Sequence, residues 1–360
     1  MTLKIAKGRT LPIGIDLGTS SIKMAQLRHG GGETELLAAV SGEMPDNGRQ
    51  KFSRRLSAAG RFIRETLKQR SFHGRQAVIA IPARQTVVQH IKIPKGPTGE
   101  IDQTVRQELS GKLPFPAGSA VIRHILAGEV LGDEEPRQEV IAVAAARSTL
   151  DAYLDMSRRA KLDVAAINIE PFAIVECFAR LFHRASDTER TTLFVDLGAS
   201  STQVVLAHGT QVAFARNLSR GSDDLDQAIA QDRNTSVDEA RALRAQLRDG
   251  GPGDDQADRV YAACETPLDA LAAEMTQCLR YYESVFRNRS IERAIFVGGQ
   301  AYDKTLCQSL AKRLNLPAQI GDPLVHIKRT AADATAGDHH GPQPQWAVAV
   351  GLSLGAAHAA

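Results

Sequence analysis

Two stretches of this chain repeat one pattern, and that pattern restricts the possible folds more than any other feature of the sequence. One runs from Ile13 to Leu27, Ile-Gly-Ile-Asp-Leu-Gly-Thr-Ser-Ser-Ile-Lys-Met-Ala-Gln-Leu. The other runs from Leu193 to Ala207, Leu-Phe-Val-Asp-Leu-Gly-Ala-Ser-Ser-Thr-Gln-Val-Val-Leu-Ala. In each, an apolar run ends at an aspartate (Asp16, Asp196), a glycine follows two residues later (Gly18, Gly198), and a serine pair comes next. The pattern predicts a strand, a tight hydroxyl-rich turn and a second strand, written twice. Glycine at such a bend accepts positive φ and lets the backbone approach a ligand closely. Successive N–H groups in the turn form an anion-binding concavity, to which Thr19, Ser20, Ser200 and Ser201 add hydroxyl donors. The aspartates repel a phosphate directly, but they can hold a hydrated Mg²⁺ that bridges to it. A single Asp-Leu-Gly is ordinary turn chemistry; two copies in separate halves speak for a repeated architecture and one phosphate cleft between its parts.

A length of 360 residues allows two domains, each with its own core. The formal charge of +3 is weak for this length and gives no argument for nucleic acid or an anionic membrane surface. Met1 to Pro12 carries Lys4, Lys7 and Arg9 without an apolar segment, so no secretory signal is expected there. No apolar run is long enough to span a bilayer. Cys177, Cys264, Cys278 and Cys307 are widely spaced, which predicts free thiols rather than a metal or redox pair.

Along the chain, Glu35 to Val40 reads as a strand and Asp46 to Gln50 as a turn. Phe52 to Arg70 carries apolar residues at helical spacing, with Arg54, Arg55, Arg61, Arg64, Lys68 and Arg70 on the other, solvated face. Strands are expected at Gln76 to Pro82, Thr86 to Pro94, Val121 to Leu131 and Glu139 to Ala146, with helices at Glu100 to Lys112 and Ser148 to Ala160. The Leu113-Pro114-Phe115-Pro116 block stops the first of these helices. Val164 to Ile169 reads as a strand leading into a helix opened by Glu170-Pro171. Asp224 to Tyr282 is helical, interrupted by Asp249 to Gly253. Ala294 to Gly299 is a buried strand ending in paired glycines, followed by a helix from Tyr302 to Leu314. Thr330 to Gln345, with His339-His340, reads as a loop that lacks the further ligands a metal site needs. Trp346 to Ala357 is a last apolar helix.

A phosphate hairpin in each half, a helix after Glu170 and a Gly-Gly strand end resemble the actin-like ATPase superfamily. Pro82, Pro94, the Leu-Pro-Phe-Pro block, the phrase Ile169-Glu170-Pro171-Phe172-Ala173 and the length resemble, more narrowly, the PilM family of type IV pilus assembly proteins. The resemblance implies an α/β fold of duplicated ribonuclease H-like domains around a nucleotide cleft. Its expected parts are subdomain 1A (1–76 and 167–190), an inserted α+β subdomain 1C (77–166), 2A (191–220 and 291–360) and 2B (221–290). It implies ATP and Mg²⁺ as cofactors, with turnover that is slow at most. Asp16, Gly18, Thr19, Ser20, Ser21 and Lys23 match the first phosphate segment. Asp196, Gly198, Ala199, Ser200, Ser201 and Thr202 match the second. Gly298 and Gly299 match the adenosine segment, and Gly221 closes on the nucleotide from the second domain. Asp16 and Asp196 would face the metal through water. Glu170 stands where hydrolysing relatives orient the attacking water, or is a carboxylate favoured at a helix start. Arg241 and Arg244 stand where relatives carry Glu and Lys toward the ribose and base.

The family also implies a cytoplasmic scaffold of the type IV pilus, or of the related type II secretion machinery. It would be peripheral at the inner membrane, docking the N-terminal segment of a PilN-like single-span protein between 1A and 1C. Other pilus machinery components are expected as partners and self-association is open; nucleic acid and direct membrane insertion are not expected. The rivals are an FtsA-like division filament, which would end in a basic amphipathic helix absent here, and a small-molecule kinase, for which no base or substrate pocket is evident. A chaperone of the seventy-kilodalton class would need a further β domain.

Overall fold

The computed structural model describes residues 8–44, 51–69, 72–130, 136–182, 190–248, 254–287, 289–329 and 341–355. The expected turns at Asp46 to Gln50 and Asp249 to Gly253 and the His339-His340 pair lie outside them. In chain order the first part comprises β1 (Arg9–Thr10), β2 (Ile13–Leu17), β3 (Ser21–Gly30), β4 (Glu33–Glu43), α1 (Phe52–Gln69) and β5 (Gln76–Ile81). Then come β6 (Val87–Pro94), α2 (Thr98–Leu109), β7 (Ala120–Val130), β8 (Arg137–Ala146), α3 (Arg147–Arg159), β9 (Asp163–Ile169) and α4 (Glu170–Phe178). The second part comprises β10 (Thr191–Leu197), β11 (Thr202–His208), β12 (Gln211–Leu218), α5 (Ser222–Asp232), α6 (Val237–Arg248), α7 (Asp254–Ala262) and α8 (Glu265–Val285). It closes with β13 (Ile291–Val297), α9 (Lys304–Leu314), β14 (Ala318–Ile320), β15 (Lys328–Arg329) and α10 (Ala347–Gly355).

The sequence repeat is the visible part of a larger one. The first sheet runs β4-β3-β2-β5-β9 and the second β12-β11-β10-β13-β14. In both, an antiparallel three-strand meander is extended by two parallel strands through helical crossovers. The third meander strand β12 and the short edge strand β14 are additions to the sequence reading. Residues Val212 to Ala215 of β12 are buried in succession, so the strand carries no polar alternation to betray it.

A third sheet, β6-β8-β7, carries α2 on one face through Ile101, Val105 and Leu109, which pack with Ile91, Ile93, Ile122 and Val140. It spans 87–146, narrower than the expected 77–166. β5 pairs in parallel with β2, and α3 packs with α1 through Tyr153 and Met156 under the first sheet, because these segments supply the apolar residues that sheet needs. The C-terminal end is corrected in the same way. β15 pairs with β4, and α10 packs on α4 and β2, so 328–329 and 347–355 return to the first sheet instead of staying with the second. The approach is close: a Cβ on Gly14 would fall 1.9 Å from the Ala349 carbonyl oxygen, and one on Gly351 would fall 1.8 Å from that of Ala173. All four cysteines are buried free thiols, as expected.

Candidate functional site

The two turns of the repeat face each other. Residues Gly18 to Ser21 and Gly198 to Ser201 line opposite sides of a cleft of about 310 Å³, and the Thr19 and Ser200 hydroxyls hydrogen-bond across it at 2.8 Å. Backbone pairing explains why the charged side chains converge. Asp16 is the register partner of Lys23 in the first hairpin, and Asp196 is that of Gln203 in the second. Lys23 donates to Asp16 at 3.2 Å, both nearly buried; where the second hairpin has no lysine, Gln203 Nε2 donates to Glu170 Oε2 at 2.6 Å.

The cleft therefore holds three carboxylates, with Lys23 paired to Asp16 and Arg84 on the wall. Burial, then the charges of Asp16 and Asp196, pushes Glu170 up to about 8. Burial and then Asp16 raise Asp196 to about 6, with Lys23 acting the other way. Excess negative charge of this kind is what a divalent cation relieves. Among the described residues no three His, Cys, Asp or Glu side chains form a ready metal-ligand set. Two carboxylates that hold a cation through its waters suit Mg²⁺ better than a metal needing a full protein cage.

Of the remaining expected residues, Gly299 lines the cleft, and Gly298 lies beneath it at φ +93°, where a Cβ would fall 2.1 Å from Asp196 Oδ1. Thr202 is buried and donates to the Arg220 carbonyl; with Gly221 it borders a smaller pocket that also touches Gly198 and Gln300. The Asp223 N–H, at the start of α5, donates to the Ala199 carbonyl at 2.8 Å, tying α5 to the second turn. Arg244 does not reach the cleft lining: its guanidinium is buried, held by Asp226 at 2.8 Å, Asp303 at 3.3 Å and Gln300 at 3.0 Å. Arg241 likewise bonds Asp226 and Asp238.

Several contributors lie outside the repeated motif. Arg55 was expected on the solvated face of α1, where Arg54, Arg61, Arg64 and Lys68 are indeed exposed; it is instead buried and donates to the Gly18 and Thr19 carbonyls, both at 3.0 Å. It thereby holds the first turn in shape. Arg84, Asn217 and Ser219 also line the cleft. Among the described residues the buried Asn217 side-chain oxygen has no hydrogen-bond partner, and a ligand donor in the cleft would satisfy it. None of these had a signal in the sequence, because each depends on a strand or helix pairing far along the chain.

A second depression lies between the first sheet and the third. This groove of about 300 Å³ is walled by Ile81, Ile167, Ile169 and Phe172 on one side and by Val121, Ile125, Val143 and Ala145 on the other, with Arg123 and His124 at its margin. It runs beside β9 and β7, each the terminal strand of its sheet. An apolar trough flanked by strand edges suits an extended peptide, which gains main-chain bonds from an edge and seats alternate side chains in pockets.

Two domains on one sheet plan, with paired turns meeting over a polar cleft, define a protein of the actin-like ATPase fold. Its insertion and groove narrow the class further. The chain belongs to the PilM family: the model of the type IV pilus assembly protein PilM matches residues 14–357. Among solved structures, the chain is similar to one described as the PilM-PilN type IV pilus biogenesis complex, at 24% identity and TM-score 0.78, covering 96% of this chain and 98% of that one. It also shares its fold with the ethanolamine utilization protein EutJ from Carboxydothermus hydrogenoformans, at 13% identity and TM-score 0.55, over 98% of this chain and 91% of that one. Among the described residues no helix is long and apolar enough to cross a membrane.

Proposed function

We propose that the protein is a nucleotide-binding scaffold of type IV pilus assembly that captures the N-terminal segment of a PilN-like single-span inner-membrane protein. The carrying observation is the apolar groove between β9 and β7, together with the family's membership in pilus assembly and the PilN named with the similar solved structure. The captured segment is cytoplasmic, so the scaffold sits in the cytoplasm and is held at the inner membrane through its partner.

ATP with Mg²⁺ is the cofactor of this reading. The turn amides and hydroxyls of Thr19, Ser20, Ser21, Ser200 and Ser201 would take the phosphates, and Asp16 and Asp196 would hold the metal through water. When bound, the metal would neutralise the phosphate charge and relieve the carboxylate cluster. Lys23 pairs with Asp16 at the cleft, while Gln203 fixes Glu170. In the ligand-free protein burial and the charges of Asp16 and Asp196 raise the Glu170 carboxyl to about 8. Nucleotide would act by shifting the populations of domain arrangements, not by a power stroke.

The test uses a fluorescein-labelled synthetic peptide spanning the cytoplasmic segment of the PilN-type protein of the same organism. Stoichiometric binding is expected, with a tenfold or greater loss for Phe172→Asp, while circular dichroism verifies folding. Unchanged affinity in a folded Phe172→Asp protein would remove the groove assignment. Asp196→Ala should abolish Mg-ATP binding by calorimetry.

A further inference from the structure

The cleft and the groove share one thin wall, built from two segments. In the first, Pro82, Ala83 and Arg84 face the cleft, while the flanking Ile81 and Thr86 face the groove. In the second, Glu170 faces the cleft, while Asn168, Ile169 and Phe172 face the groove. The first segment is also where the chain leaves β5 for β6, and so enters the inserted sheet. It is a single 3₁₀ turn, Ala83–Gln85, braced from α3 by the Tyr153 hydroxyl, which donates to Gln85 Oε1 at 2.5 Å. Thr86 Oγ1 closes the turn by donating to the Ala83 carbonyl at 3.1 Å.

Arg84 is the exposed member of this turn on the cleft side, and among the described residues no carboxylate pairs with it. A second guanidinium, that of Arg55, is close enough to feel its charge: burial and then Arg84 lower the Arg55 pKa. Arg55 is committed to the Gly18 and Thr19 carbonyls, so Arg84 is the guanidinium that the cleft lining offers to an anion beside the phosphate turns.

We infer that Arg84 binds the terminal phosphate group of a bound nucleoside triphosphate, and that its turn transmits the presence of that group to the peptide groove. The inference rests on the nucleotide and peptide reading above. A triphosphate that engages Arg84 draws the turn toward the cleft and away from the groove, which then admits the peptide more readily. A diphosphate lacks the group that Arg84 engages. Each ligand thus favours the same position of one wall, and the coupling is reciprocal. Tyr153 and Gln85 fix the pivot about which the turn moves.

The experiment is a titration of the full chain with the labelled PilN-type peptide described above, at saturating Mg-AMP-PNP and, separately, at saturating Mg-ADP. The wild type is expected to bind the peptide at least about fivefold more tightly with the triphosphate analogue. Arg84→Ala should weaken Mg-AMP-PNP several-fold and bring the two peptide affinities within twofold of each other. Arg84→Lys should restore part of the difference, and Tyr153→Phe should reduce it without touching the cleft. Equal peptide affinities in the wild type, or a full difference retained in Arg84→Ala, would overturn the inference while leaving the scaffold reading intact. A wild type that binds no nucleotide or no peptide overturns that reading, and the inference with it.

Discussion

Replacing Gly298 by alanine tests whether the second phosphate hairpin is held in place from below. Gly298 ends β13 at φ +93°, a backbone conformation that costs an L-residue about 1–2 kcal/mol. The added Cβ would also stand 2.1 Å from Asp196 Oδ1, 2.6 Å from the Leu197 carbonyl oxygen and 2.9 Å from the Leu197 nitrogen. Two of those atoms are backbone of the strand that carries Asp196, so relief requires moving β10 or turning the carboxylate. Overpacking of this kind costs about 1–3 kcal/mol, which brings the total to about 2–5 kcal/mol. Gly299 supplies an internal control, since nothing lies within 4 Å of the Cβ it would acquire. Gly299→Ala should change stability by no more than about 1 kcal/mol in either direction. Urea unfolding can be followed by the single tryptophan, Trp346, which is fully buried at the start of α10. Mg-ATP calorimetry then reads the displaced Asp196, with affinity expected to fall for Gly298→Ala; Gly299, which lines the cleft, serves as a control for stability alone. If Gly298→Ala unfolds at the wild-type urea concentration, or if both variants lose stability alike, the geometry assigned to the strand end is wrong.

Three further outcomes are expected. Lys23→Met removes the cation from a buried pair and leaves Asp16 facing Asp196 and Glu170, so stability at pH 8 should drop by about 3–5 kcal/mol and recover partly at pH 5, below the raised values of Asp196 and Glu170; an equal deficit at both pH values would count against the charge argument. Burial and the charges of Asp16 and Asp196 raise Glu170 in the folded state to about 8, above the ordinary carboxylate value of 4.5, so the native state takes up its proton first, and the ligand-free protein should gain stability as pH falls from 8 toward 4.5. Glu170→Gln should flatten that gain in urea midpoints measured across the window, and an unaltered slope would show that Glu170 does not titrate there. Finally, Glu139 of β8 is fully buried at the contact between the inserted sheet and the second domain. It receives the Tyr281 hydroxyl at 2.8 Å and pairs with His90 at 3.1 Å, and among the described residues its other oxygen has no partner. Tyr281→Phe should therefore cost about 1–3 kcal/mol and speed amide exchange in β6 and β8, whereas unchanged exchange would mean that this contact does not hold the insertion in place.

What the sequence determined on its own was local. An apolar run, Asp-x-Gly and a hydroxyl pair specify a strand, a turn and a strand within fifteen residues, and repetition specifies two related domains whose turns can serve one ligand. The amphipathic period of α1 and the Pro-bounded start of α4 are legible for the same reason, since their signals lie within a turn or two of the chain. Tertiary structure decided everything that depends on which distant segments meet. β12 was hidden because a strand buried on both faces has no alternation, and β14 because three residues, two of them exposed, carry no pattern. Arg55 and Arg54 are neighbours in a basic run, yet a single step of about 100° around α1 turns one under the first phosphate turn and leaves the other in solvent. Arg244 has the composition of a ligand-binding residue, but its charge is used up by Asp226 and Asp303, which only the packing of α5, α6 and the start of α9 brings within reach. The paired hairpins could be read from residues alone; the thin wall that sets their cleft against a peptide groove exists only because β5, β9 and the inserted sheet close around the same short turn.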